Sequence, residues 1–228
     1  MNPLERLRRR YPWPAKRPET PPCLRGWDGG GRHLIPAALG DVVRPVILEV
    51  GSFLGLSART WLDALPDAAV VCVDPWPAGA DVTTWGITDW PELVGRPFYE
   101  TFLSNCWDHR DRVIPVRGHS PEALREIAAC GVRPDLVYLD GDHAYEAVLA
   151  ELLLCAKLFP DAVLSGDDWL WTAERFPPRS VREAVQDYAR PRGLTVTDRG
   201  NTWVLSRPAA APAAGLWRRL TGWLRRAG

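Results

Sequence analysis

The chain has 228 residues, 46% hydrophobic and 25% charged, which is enough for one large domain with appendages and an ordinary balance for a globular protein. Lys plus Arg and Asp plus Glu both number 28, so the formal net charge is zero; this argues against bulk nucleic-acid binding, which runs on a basic excess. The five cysteines, Cys23, Cys72, Cys106, Cys130 and Cys155, are odd in number, scattered and without C-x-x-C spacing. They suggest neither a disulfide framework nor a zinc site, and they point to a reducing compartment, hence the cytoplasm.

Residues 1–30 are rich in Pro, Arg and Gly, contain no apolar stretch of signal-peptide type, and predict an arm or cap. From there β-like and helical runs alternate. PVILEV (45–50) reads as a buried strand ended by Gly51, and LSARTWLDAL (56–65) as a helix with Trp61, Leu62 and Leu65 on one side. AAVVCVD (68–74) is a second strand, with Cys72 as a small buried hydrophobe. Residues 75–111 form a long insertion holding Trp76, Trp85, Trp90 and Trp107, helical at FYETFLSNCW. RVIPV (112–116) is a third strand. SPEALREIAA (120–129) opens like a capped helix, with Ser120 at the cap and Pro121 at the first helical position. DLVYLD (135–140) is a fourth strand, followed by a helix over 144–159; DAVLSGDD (161–168) is a fifth strand running into a loop, followed by a helix over 180–190. GLTVTD and NTWVLS, joined by Arg199-Gly200, predict a closing hairpin. No apolar run approaches the ~20 residues of a membrane span.

Strands alternating with helices of this length predict an α/β fold: a Rossmann-like, doubly wound, mostly parallel sheet of seven strands ending in an antiparallel hairpin. The domain expected over 31–206 is followed by an Ala/Pro linker, 207–215, and a basic amphipathic helix, 216–228. That helix places Leu216, Trp217, Leu220, Trp223 and Leu224 on one stripe, with Arg218, Arg219, Arg225 and Arg226 mostly elsewhere. Such a helix suits peripheral contact with a membrane surface, its own domain, or a second copy in a homo-oligomer.

In open α/β sheets ligands bind beyond the carboxyl ends of the strands, near the point where strand order reverses. The residues expected there are polar. Strand one leads into E-V-G-S-F-L-G-L-S (49–57), strand two ends at Asp74, and strand three leads into Gly118-His119-Ser120. Strand four runs into Asp140-Gly-Asp142-His143, and strand five into Gly166-Asp167-Asp168. Gly51 and Gly55 let a ligand approach the backbone, and Asp74 is placed to accept hydrogen bonds from ribose hydroxyls. These features fit a dinucleotide as well as another nucleoside, although the loop is not G-x-G-x-x-G, and Glu49 would repel a pyrophosphate and suit an ammonium.

Taken in order, ILEVGSFLGLSA, VVCVDPW, RVIPVRGHSPEAL, LVYLDGDHAYEAV and LSGDDW resemble the class I S-adenosylmethionine (SAM) methyltransferases over roughly residues 40–206. They are most similar to the metal-dependent group acting on hydroxyls of sugars and natural products. The resemblance implies that Glu49, Gly51, Ser52 and Gly55 hold the methionine end of SAM, that Asp74 binds the ribose with Trp76 beside the nucleoside, and that His119 and Ser120 border the adenine. That motif more often has Asp where His119 stands. Asp140, Asp167 and Asp168 match the carboxylates with which metal-dependent relatives hold Mg²⁺, and the intervals of 27 and 28 residues also match. Catechol-type relatives carry Asn in place of Asp168 and Lys in place of His143.

The resemblance thus implies methyl transfer from SAM to a hydroxyl of a sugar or another polyhydroxylated small molecule, assisted by Mg²⁺. Asp140 would bind the metal at the reacting centre, and His143 would act as general base. Asp142 or His143 would equally serve as caps for the helix that follows, and the tryptophans as packing. Two rival functions are a nucleotide-dependent Rossmann oxidoreductase and a non-catalytic SAM-binding scaffold.

Overall fold

A computed structural model describes residues 1–27, 31–79, 89–170 and 180–207. Trp85 and the 216–228 helix lie outside these residues. The elements, in chain order, are α1 (Pro3–Arg10), α2 (Gly31–Leu39), β1 (Val46–Val50), α3 (Leu56–Ala64), β2 (Ala69–Asp74), α4 (Phe98–Asn105), β3 (Val113–Arg117), α5 (Glu122–Ala129), β4 (Leu136–Leu139), α6 (Tyr145–Leu158), β5 (Val163–Gly166), α7 (Val181–Ala189), β6 (Thr195–Arg199) and β7 (Thr202–Ser206). They build one seven-stranded sheet of order β3-β2-β1-β4-β5-β7-β6. β1 to β5 are parallel, and β7 runs antiparallel between β5 and β6. This is the predicted doubly wound architecture with its closing hairpin.

β1 to β5 are largely apolar on both faces, as a sheet covered by helices on both sides requires. Leu48, Val50, Val71, Val73, Ile114 and Val116 point into one core, shared with α5, α6 and α7. Ile47, Val70, Cys72, Val113, Leu136 and Tyr138 point into the other, shared with α2, α3 and α4. A one-residue slip in any strand would exchange these two sets.

Three local features differ from the sequence expectation. α5 begins at Glu122 with Pro121 at its cap and no side-chain cap bond, so Ser120 stays in the β3–α5 turn. The His119 carbonyl accepts the first helical bond, from Ala123. Helix α2 was not legible, because Pro36 interrupts its pattern; burial of Ile35 and Leu39 against α3 and β7 outweighs that local cost. The arm contains α1, whose Leu7 is fully buried in the α5-side core. No helix among the described residues is long and apolar enough to cross a membrane.

Candidate active site

Strand order reverses between β1 and β4, and the loops leaving these two strands touch. Gly51 sits at φ +89°, and a Cβ there would overlap the backbone of Asp140. Only glycine permits this approach. The Gly51 and Ser52 amides bond the Val73 carbonyl, and the Asp140 amide bonds that of Val50, so three strand ends are locked together. Gly55, at φ +77°, is equally constrained: a Cβ would lie 2.6 Å from Cys106 Sγ.

Glu49 is the most buried acid of the site, with no exposed surface. Its carboxylate accepts the Ser52 hydroxyl at 2.6 Å and that of Ser57. Burial pushes it up to about 7, against the pull of those hydroxyls. Ser57 is the last residue of the E-x-G-x-x-x-G-x-S run, so the signal for it was in the sequence, although no role was assigned to it. Asp74 accepts the amides of Trp76 (2.7 Å) and Phe53 (2.9 Å), one on each oxygen. Burial raises its carboxyl, and these amides and His119 oppose the rise. Each oxygen keeps a lone pair for a further donor.

Trp76 is placed differently from the sequence expectation. It is 1% exposed, packed on Tyr99 and Phe102, and its indole N–H donates to the Phe53 carbonyl at 2.6 Å. It braces the 51–55 loop from behind and offers no free face to a nucleoside. His119 is exposed and Ser120 half-buried, both at the carboxyl end of β3 beside Asp74.

At the carboxyl ends of β4 and β5, Asp140, His143 and Asp168 bring one ligand atom each to within 4.8 Å of one another. His143 Nε2 lies 2.6 Å from Asp168 Oδ2 and 3.9 Å from Asp140 Oδ1. Asp168 gets there at φ +59°, a left-handed turn that swings its side chain back toward β4. Asp167 is not one of the three. Its backbone continues the ladder, donating to Leu139 and accepting from the Trp203 indole at 2.9 Å. His143 supplies the third ligand-type atom of the cluster. Asp167 still stands close enough that its charge, after burial, helps to raise Asp140. Burial would lower His143, but its bonds to Asp140 and Asp168 prevail and hold it up at about 10. Asp142 accepts the Ala144 amide at 2.8 Å in a turn ahead of α6, the capping-type role open to it from sequence.

The model of a family described as a methyltransferase domain matches residues 48–169, over half of the chain. The chain belongs to this family. It is therefore a class I, SAM-dependent methyltransferase, and neither the oxidoreductase nor the scaffold reading gains support. A comparison with curated proteins gives no match. Among solved structures, the methyltransferase is similar to a putative O-methyltransferase from Klebsiella pneumoniae (18% identity, 92% of this chain and 91% of that one, TM-score 0.56). It is also similar to the cofactor-bound Rv0187 from MTB (20%, 91% and 88%, TM-score 0.53). The apo TDP-rhamnose 3'-O-methyltransferase CalS11 of calicheamicin biosynthesis matches at 17% identity, over 77% of this chain and 76% of that one, with TM-score 0.51. At these identities the likeness concerns the fold.

Proposed function

We propose that this methyltransferase transfers the SAM methyl group to a hydroxyl of a sugar or another polyhydroxylated small molecule, with a divalent cation at the acceptor. The observation that carries the reading is the meeting of Asp140, His143 and Asp168 beside the Gly51 loop. Two carboxylates and an imidazole suit a divalent cation, with Mn²⁺ fitting the nitrogen donor at least as well as Mg²⁺. Such an ion, when bound, grips an acceptor hydroxyl and lowers its pKa.

The chain's own part is positioning and charge. Methyl transfer from a sulfonium is an in-line displacement, so the acceptor oxygen must face the methyl group along the S–C axis, and holding it there provides much of the rate. In this reading Glu49 receives the cofactor ammonium and Asp74 its ribose hydroxyls, supported by the burial of Glu49 and the free lone pairs of Asp74. In the ligand-free chain His143 is an imidazolium between two carboxylates. A bound cation would require His143 in its neutral form; without one, His143 would orient an acceptor as a hydrogen-bond donor, with Asp140 as the acceptor for the hydroxyl proton. His143 becomes a base only when other positive charge satisfies Asp168.

The test is transfer from labelled SAM to a panel of sugar nucleotides and catechols, with and without chelator. Chelation and Asp168→Asn should each abolish transfer, while S-adenosylhomocysteine still binds in calorimetry. Full activity in excess chelator would remove the cation from the proposal and leave the Asp140–His143–Asp168 triad to act alone.

A further inference from the structure

The arm preceding the family-matched segment carries an aromatic side chain to the 51–55 loop. Trp27 packs on Phe53 of the 51–55 loop (ring centroids 5.6 Å apart) and on Trp90 of the segment after β2 (4.6 Å). Despite both contacts it remains 53% exposed. A large aromatic surface left open beside a polar cleft is a candidate ligand surface.

The arm cannot drift. The Asn105 side chain, 7% exposed, accepts the Cys23 amide and donates to the carbonyls of Cys23 and Leu54, joining arm and cofactor loop through one amide group. Gly26 lies so close to α3 that a Cβ there would come within 2.8 Å of Leu56 Cβ. Arg96 donates to the Pro21 carbonyl at 2.7 Å, and Arg25 pairs with Glu92.

We propose that Trp27 is a cofactor-binding residue, its indole forming with Phe53 and Trp90 the wall against which the ribose end of SAM lies. The inference rests on Asp74 being the ribose carboxylate. Because the Phe53 amide is bonded to Asp74, the wall begins at the ring of a residue already tied to that group. The acceptor belongs at the other end of the cleft, over Asp140, His143 and Asp168. SAM is therefore the occupant that continuity with the Asp74 site selects.

Calorimetry of S-adenosylhomocysteine with the full chain tests this, alongside thermal melts. Trp27→Ala should weaken binding on the order of tenfold, as loss of a large apolar contact surface does, with an unchanged melting temperature. Trp27→Phe should retain most of the affinity. Arg96→Ala, which removes the tie to the Pro21 carbonyl and leaves the ring in place, should bind like the unaltered chain. Normal affinity in Trp27→Ala together with weakened binding in Asp74→Asn would overturn the wall and leave the ribose reading standing. Normal affinity in Asp74→Asn would overturn both. Equal losses in Arg96→Ala and Trp27→Ala would show that arm docking, and not contact with the ring, governs affinity, and would also overturn the proposal.

Discussion

Glu49 shows how much one side chain can set. In the fold it keeps its proton up to about pH 7, whereas its ordinary value is 4.5. Between these values the folded chain binds more protons than the unfolded one, so stability falls as pH rises from about 4.5 to 7 and then levels off. The loss is on the order of a few kcal/mol, since each pK unit is worth about 1.4 kcal/mol. Glu49→Gln should flatten that slope in thermal melts taken from pH 4.5 to 8; an unaltered slope would mean that Glu49 is not its source. An ammonium partner would return Glu49 to its ionised form. S-adenosylhomocysteine binding at pH 6 should then release a proton, seen as a buffer-dependent calorimetric enthalpy that Glu49→Gln abolishes. Gly51 is the complementary case, where only an absent side chain will do. Gly51→Ala should cost several kcal/mol, because the new Cβ meets the Asp140 backbone and φ +89° is strained for alanine. A melting temperature within a degree or two of the parent would contradict this.

Among elements, the arm depends most on groups distant in sequence. Its tie to Asn105 spans 82 residues, and that of Arg6 to the Cys130 carbonyl spans 124. Asn105→Ala would strip partners from the Cys23 amide and the carbonyls of Cys23 and Leu54. At ~1–3 kcal/mol per buried unsatisfied group, less whatever water recovers, a net loss of about 3 kcal/mol is expected. Limited proteolysis should then cut within residues 11–27 before the domain unfolds; an arm cut no faster than in the parent would place its anchorage elsewhere. Strands β1 to β5 were legible because parallel strands covered on both faces are largely apolar runs, followed within a residue or two by Gly, Pro or Asp. The arm's α1 and the Pro36-containing α2 were not, because their short, broken patterns become helices only against a core that exists once the sheet has formed.

At the scale of the whole molecule, the stripe of Leu216, Trp217, Leu220, Trp223 and Leu224 with its four arginines is proposed to bind an anionic membrane surface, with the Ala/Pro linker as tether. Each arginine near such a surface contributes ~1 kcal/mol at low salt. The full chain should therefore sediment with anionic vesicles and be released by salt, and a chain ending at Arg207 should stay in solution. If both behave alike, the helix packs on protein, and truncation should change the oligomeric mass seen by light scattering.

The sequence by itself determined the sheet, its parallel order up to β5, the closing hairpin, and the places where chemistry collects. Those properties follow from short-range periodicity and from the rule that charged residues at strand ends face the cleft. Glu49, Gly51, Asp74, Asp140 and Asp168 could all be picked out that way. Only the tertiary structure decided what each side chain meets there. It turned Trp76 inward to brace the loop, and it brought His143 together with Asp140 and Asp168, the latter through a left-handed turn. It also laid Trp27 over Phe53. Contacts between residues tens of positions apart are set by how helices and arm pack on the sheet, and no local pattern in the chain encodes that packing.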